Sequence, residues 1–138
     1  MPHQEVPGYV DPRLVLLVDD DIDVRNAECD LLESEGWRVV AAGDGREALD
    51  LLRAGTRPSV IVLDLTMPRM DGWDFRQAQR ADRELKDIPV IVTTAAGFSA
   101  ETIRSQFGDV QFLRKPLDPA SFLEAVDHCC KSDRRPPP

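Results

Sequence analysis

The stretch VIVLDLTMPRMDG, residues 60–72, decides how the rest of the chain is interpreted. Its first four residues are apolar without interruption, a pattern typical of a strand that is buried on both faces of a parallel sheet. The run ends on Asp64, and the pairs Met67-Pro68 and Asp71-Gly72 indicate a stiff turn. We therefore predict that Asp64 lies at the carboxyl end of a central strand, the edge at which open α/β sheets bind ligands.

The composition indicates one soluble domain. Its 138 residues are 42% hydrophobic and 30% charged, which is ordinary for a globular protein. A net charge of −8 argues against nucleic acid and against anionic membrane surfaces as partners, because no basic stripe is available. The sequence has no apolar signal-peptide core and no run long enough to cross a bilayer. Because Cys29, Cys129 and Cys130 cannot all pair, we expect reduced thiols and a cytoplasmic location.

Apolar strand patterns alternate with helical patterns along the whole chain. The strands are predicted at 14–18, 38–42, 60–63, 89–93 and 110–113, and each is followed by a helix. No hairpin signal separates any two strands, so the connections should be helical crossovers between parallel strands. This alternation predicts an α/β fold: a doubly wound five-stranded parallel sheet with five helices.

Two of the helices carry predictions that a structure can test. The first helix should turn Val24, Ala27 and Leu31 towards the core. The third helix should run from about residue 71 to residue 85. Gln79 lies where its period favours leucine, so we expect a thin contact with the core at that position.

Polar residues follow four of the predicted strands. They are Asp19 and Asp20 after the first, Asp64 after the third, Thr94 after the fourth and Lys115 after the fifth. Taken singly, each would be a solvated turn residue or a surface charge. Together at one sheet edge, three carboxylates repel one another, and Mg²⁺ is the natural remedy because it prefers hard oxygen ligands. Charge neutralisation and positioning are what phosphoryl transfer needs.

The string DxTMPxMDG that begins at Asp64 resembles the phosphoacceptor loop of bacterial response-regulator receiver domains. The resemblance covers residues 13–130 and implies a flavodoxin/CheY-like sheet with the strand order 2-1-3-4-5. Residues 1–12 would form an N-terminal arm, and residues 131–138, which end in Arg-Arg-Pro-Pro-Pro, would form a disordered tail.

The resemblance also implies a role for each acidic residue. Asp64 would accept a phosphoryl group from a histidine kinase or a phosphotransfer protein. Asp20, Asp64 and the backbone carbonyl of Thr66 would ligate Mg²⁺ directly, and Asp19 would act through a bound water. Asp21 would instead begin the first helix, where a carboxylate is favoured by the helix dipole.

The remaining site residues are assigned in the same way. Thr94 and Lys115 would contact the phosphoryl group, and Ala95 is the small residue that leaves room for it. Phe112 matches the switch aromatic of the family, although a plain core role for it stays open. Ile22 is an apolar residue beside the acid cluster, and we expect it to contact the phosphodonor.

These assignments predict a signalling module that does not turn over a separate substrate. Phosphorylation would change the surface formed by the fourth helix, the fifth strand and the last helix, and a downstream target protein would bind there. A phosphorylation-dependent dimer stays open. We do not expect the protein to be an enzyme, since it would catalyse only its own phosphorylation and dephosphorylation.

Two other classes of protein share features with this sequence. A Mg²⁺-dependent aspartyl-phosphate phosphatase of the haloacid-dehalogenase type needs an acid two residues after its nucleophile, where this chain has Thr66. A flavodoxin-like FMN carrier needs a Ser/Thr/Gly phosphate loop after the first strand, where Asp19, Asp20 and Asp21 would repel the phosphate of FMN. Both alternatives are weaker than the receiver domain.

Overall fold

The computed structural model describes residues 11–65, 71–94, 98–108 and 110–132, with side chains up to residue 130. Five parallel strands form one sheet in the order β2-β1-β3-β4-β5, which confirms the predicted order. The strands are β1 Asp11–Val18, β2 Arg38–Ala42, β3 Pro58–Asp64, β4 Val90–Thr94 and β5 Gln111–Arg114. The helices are α1 Ile22–Ser34, α2 Gly45–Arg53, α3 Gly72–Ala81, α4 Ala100–Phe107 and α5 Pro119–Ser132.

Two apolar clusters cover the two faces of the sheet. Successive side chains of a strand point to opposite faces, so Leu16 belongs to one cluster and Leu17 to the other. Helices α2, α3 and α4 contribute to the first cluster, and α1 and α5 contribute to the second. Each fully buried aliphatic or aromatic side chain stabilises the fold by roughly 1.5–3 kcal/mol. All seven residues of β3 are buried, as expected of the central strand.

The strand β1 begins at Asp11, three residues before the predicted start. The backbone N–H of Asp11 donates to the carbonyl of Arg57 at 2.9 Å, and its carboxylate pairs with Arg38. These contacts bring a polar segment into the sheet that no apolar pattern could reveal. Residues 11–12 of the predicted arm belong to β1, and residues 131–132 of the predicted tail belong to α5. Residues 1–10 and 133–138 lie outside the described part, so the rest of the arm and of the tail stay predictions.

The predicted inner face of α1 was wrong at Ala27 and missed Glu28, whereas Leu31 packs against the second cluster. Ala27 is exposed, and the buried residues of the helix are Glu28 and Leu32. Val24 and Leu31 are half-buried at the margin of that face. The pattern misled because it assigned a charged residue to solvent, whereas tertiary contacts bury Glu28.

The helix α3 ends at Ala81, four residues before the predicted end, and Gln79 is fully buried. The Gln79 Nε2 donates to the carbonyls of Leu85 and Ile88, at 2.9 and 3.0 Å. Its Oε1 accepts a hydrogen bond from Arg76 at 2.8 Å. The predicted thin contact was therefore wrong: the side chain fills a buried polar position and satisfies two loop carbonyls.

Candidate functional site

The carboxyl ends of β1 and β3 bring three aspartates together. Asp19 and Asp20 follow β1, and Asp64 is the last residue of β3, its neighbour in the sheet. One carboxylate oxygen from each residue lies within 4.8 Å of the other two. Because parallel strands end at the same edge, the topology alone places these three side chains side by side.

The Lys115 ammonium lies inside this acidic group. Its Nζ is 2.5 Å from Oδ2 of Asp19 and 3.6 Å from Oδ2 of Asp64. Asp19 and Asp64 are buried, at 1% and 7% exposure, whereas Asp20 is open to solvent. Burial by itself would lower the pKa of Lys115, but the hydrogen bond to Asp19 and the charges of Asp64, Asp19 and Glu28 together raise it. Lys115 is therefore a fixed positive charge at neutral pH.

The turn after β1 is held by its own side chains. Asp19 Oδ1 accepts the backbone N–H of Asp21 at 2.9 Å. Asp21 in turn caps α1 by accepting the N–H groups of Asp23 and Val24, which confirms its predicted place at the start of the helix. Arg25 reaches back from α1 and donates to the Asp19 carbonyl at 3.0 Å. This network fixes the direction in which the Asp19 carboxylate points.

The backbone at Asp64 is held by the start of α3. The Gly72 N–H donates to the Leu65 carbonyl at 3.0 Å, and a Cβ at Gly72 would lie 2.6 Å from the Asp64 carbonyl oxygen. Only glycine permits this approach. Asp71 caps the same helix by accepting the N–H of Asp74. The sequence indicated a turn here but not that Gly72 packs on the Asp64 backbone.

The other predicted residues of the site are distributed as follows. Thr94 is buried at the end of β4, and its carbonyl accepts the Lys115 N–H at 2.9 Å. The Lys115–Pro116 peptide bond is cis. Phe112 is half-buried in β5, with the Arg114 guanidinium 5.2 Å from its ring centroid. Ile22 is the first residue of α1 and is 58% exposed. Thr66 and Ala95 lie outside the described residues.

Glu28 is a buried acid near the site that the sequence analysis missed. It lies on α1 and is 7% exposed. Burial, together with the charges of Asp19 and Asp64, raises its pKa to about 7, and the charge of Lys115 acts in the opposite direction. A helical pattern that placed the buried face on Glu28 and Leu32, four residues apart, would have revealed it.

The donor set suits a hard divalent cation. Three carboxylates offer oxygen ligands, and exposed Asp20 leaves one side of the group open to water. Mg²⁺ keeps several waters and uses few protein carboxylates, so this half-open arrangement fits it. The chemistry of the residues present therefore agrees with the predicted metal.

Comparisons with known proteins all indicate the same family. The family model described as "response regulator receiver domain" matches residues 15–127. The response regulator Rre1 of Synechocystis sp. is 37% identical over 118 residues, which are 84% of this chain and 50% of that protein. The chain thus spans about half the length of that relative. The polar-differentiation response regulator DivK of Brucella anthropi is 31% identical over 83% of this chain and 94% of its own length.

Solved structures agree with the sequence relatives. The chemotaxis protein CheY4 of Vibrio cholerae has a TM-score of 0.76 at 33% identity, covering 84% of this chain and 97% of that one. A receiver domain of a histidine kinase from Syntrophus aciditrophicus has a TM-score of 0.79 at 27% identity, covering 90% and 94% of the two chains. Within the described residues, no helix has the length and apolar character needed to span a membrane.

Proposed function

The chain belongs to the response-regulator receiver family, and on that premise we propose that Asp64 accepts a phosphoryl group with the help of Mg²⁺. The observation that carries the proposal is the placement of Asp64. Its carboxylate lies among those of Asp19 and Asp20, within 4.8 Å, and 3.6 Å from the Lys115 ammonium. A nucleophilic carboxylate beside a cation and a pocket for a dication meets the needs of phosphoryl transfer.

The transfer forms a bond between an Asp64 oxygen and phosphorus. The bond that breaks joins phosphorus to a histidine nitrogen of the kinase or phosphotransfer protein, which leaves with its electron pair. When bound, Mg²⁺ would neutralise charge on the phosphoryl oxygens. Asp20 and Asp64 would hold it directly, together with the carbonyl of Thr66, and Asp19 would orient one of its waters.

Lys115 has a second role in this proposal. Its ammonium pairs with Asp64 before the reaction and can turn to a phosphoryl oxygen afterwards, because both partners lie at the same strand ends. Thr94, which ends β4, would donate its hydroxyl to another phosphoryl oxygen, and Ala95 would leave the room for that group. Lys115 and Thr94 would thus both contact the new phosphoryl group.

The proposed output is a change in the surface of α4, β5 and α5. Movement of Thr94 would free space that Phe112 can fill, since Thr94 lies in β4 two residues after Val92, which pairs with Phe112 in β5. Such a two-state shift would change the surface to which a downstream protein binds. Ile22, exposed beside the acidic group, would contact the phosphodonor protein.

The protein would act on itself and not on a separate substrate. The partners we propose are a histidine kinase or phosphotransfer protein and a downstream target protein, the classes that the family implies. Longer relatives such as Rre1 carry about as much chain again, so their activities are not transferred to this chain.

Mass spectrometry tests the proposal. The protein is incubated with acetyl phosphate, with Mg²⁺ or with EDTA, and weighed. The parent should gain one phosphoryl group in Mg²⁺ and none in EDTA, and Asp64→Asn should gain none. Asp50→Asn, which removes a carboxylate that is 65% exposed on α2, is the matched control and should behave as the parent. Equal labelling of Asp64→Asn and the parent would refute the assignment.

A further inference from the structure

Glu28 lies in a groove that also holds the Lys115 side chain. The groove, which we call the α1–α5 groove, has a volume of about 360 Å³ and runs between α1 and the turn that begins α5. Its walls include the apolar side chains of Val24, Leu31, Leu117 and Phe122. Glu28 and Lys115 are the charged residues among those that line it.

The Glu28 carboxylate has no hydrogen bond or ion pair with any residue that the structure describes. An ionised carboxylate in an apolar groove is unfavourable unless a cation or a donor compensates it. The charged groups that act on Glu28 are Asp19 and Asp64, which repel it, and Lys115, which attracts it. Among these groups, Lys115 is therefore the cation that can compensate a negative charge on Glu28.

The proposed chemistry creates a need for such a carboxylate. Lys115 pairs with Asp19 and lies near Asp64. In the proposed metal site, Mg²⁺ would be held by Asp64 and Asp20, and Asp19 would orient one of its waters. A bound dication would repel an ammonium nearby. Among the carboxylates of the described residues that act on Lys115, Glu28 alone is outside the proposed metal site.

We propose that Glu28 is a positioning residue for Lys115: its carboxylate retains the ammonium at the site when Mg²⁺ engages the aspartates. The inference rests on the proposed function, since it requires Mg²⁺ to be held by Asp20 and Asp64 directly and by Asp19 through a water. Glu28 does not touch the phosphoryl group. It keeps Lys115 from extending along the groove into solvent, so that the ammonium is in place when the phosphoryl group arrives.

Competitive acetylation of lysine amines tests this directly. The protein is treated at about pH 8, above the pKa of Glu28, with trace acetic anhydride, and the labelling of Lys115 is measured by peptide mass spectrometry relative to exposed Lys86 in the same molecules. In the parent, Mg²⁺ should leave Lys115 protected. In Glu28→Gln, which keeps the shape of the side chain, Mg²⁺ should raise the relative reactivity of Lys115 about two- to fivefold, the size expected of one partly screened charge pair.

Three comparisons separate positioning from a merely structural role. Glu33→Gln removes a carboxylate from the exposed side of α1 and should behave as the parent. Glu28→Leu fills the groove with an apolar side chain and should show the same Mg²⁺-dependent rise as Glu28→Gln. Without metal, Asp19 should protect Lys115 in every variant, whereas a structural defect would expose it with or without Mg²⁺.

The outcomes distinguish this inference from the proposed function. The melting temperature of each sample reports whether Mg²⁺ binds. If Mg²⁺ raises the melting temperature of the parent, yet Lys115 is equally protected in Glu28→Gln and Glu33→Gln, the role of Glu28 is overturned and the metal site stands. If Mg²⁺ does not bind the parent at all, the proposed function fails, and this inference fails with it.

Discussion

The Nζ atom of Lys115 lies 2.5 Å from Oδ2 of Asp19, so residues 96 positions apart in the chain form a partly buried ion pair at the carboxyl edge of the sheet. The pair offsets part of the repulsion among three neighbouring carboxylates. It also places the cation where a phosphoryl group on Asp64 would need it.

Replacing Lys115 by Ala should destabilise the metal-free protein by about 1–3 kcal/mol, because Asp19 is left buried without its cation. The variant should still fold, and Mg²⁺ should restore part of the loss by supplying positive charge. Urea unfolding in EDTA and in Mg²⁺ measures both effects. Lys86→Ala removes an exposed lysine, and its free energy of unfolding should stay within about 0.5 kcal/mol of that of the parent. Equal stability of the two variants would mean that the ion pair contributes nothing.

Replacing Asp20 by Asn should separate metal binding from folding. The variant removes one repelling charge and one proposed ligand, and because Asp20 is exposed, it should be at least as stable as the parent in EDTA. At ten times its dissociation constant, Mg²⁺ should stabilise the parent by about 1.4 kcal/mol and the variant hardly at all. Melting curves with and without Mg²⁺ check this. A gain from Mg²⁺ equal to that of the parent would remove Asp20 from the site.

The metal-free stability should depend on pH through Glu28. Its pKa is raised from 4.5 to about 7 in the folded protein, so the folded state holds the proton more tightly than the unfolded state does. This contribution to stability is fully present below about pH 4.5 and is lost as the pH rises to about 7. As the pH rises between those limits, the free energy of unfolding of Glu28→Gln should therefore increase relative to that of the parent by roughly 1–3 kcal/mol. Urea unfolding from pH 4 to pH 8 measures the difference, and Glu33→Gln should show none. A difference that does not change with pH would contradict the raised pKa.

Replacing Gly72 by Ala should disturb the backbone at Asp64. The new Cβ would lie 2.6 Å from the Asp64 carbonyl oxygen and 2.9 Å from the Leu65 Cα, and neither backbone atom can move freely. We expect a loss of about 1–3 kcal/mol despite the better helix propensity of alanine, together with slower phosphorylation. At Gly43, a Cβ would meet only the ends of the Arg25 and Glu47 side chains. Gly43→Ala is thus the control. Equal unfolding free energies for the Gly72→Ala and Gly43→Ala variants would show that the close approach of Gly72 to the Asp64 backbone is not needed.

The fold could be predicted because its signals are local. Unbroken apolar runs such as residues 60–63 and capping residues such as Asp44 and Ser99 each mark an element without knowledge of the rest. Strand order followed from the family resemblance. The acidic group could be predicted for a similar reason, since the ends of parallel strands meet at one edge.

The errors concern polar residues that tertiary contacts bury. Periodicity assigns a charged or amide side chain to solvent, but Gln79 is enclosed because two loop carbonyls need donors. Glu28 is enclosed because α1 turns that face towards the sheet and towards Lys115. Helical periodicity does not identify these contacts, because Leu85 and Ile88 lie beyond the end of α3 and Lys115 is far from Glu28 in the sequence.

The position of the phosphoryl group tests the central claim most directly. After incubation with acetyl phosphate and Mg²⁺, reduction by borohydride converts a phosphorylated aspartate into homoserine, which peptide mass spectrometry can locate. We predict homoserine at position 64 alone, and none in a sample prepared in EDTA. Homoserine at position 19 or 20, or equal labelling with and without Mg²⁺, would contradict the assignment of Asp64 as the phosphoacceptor.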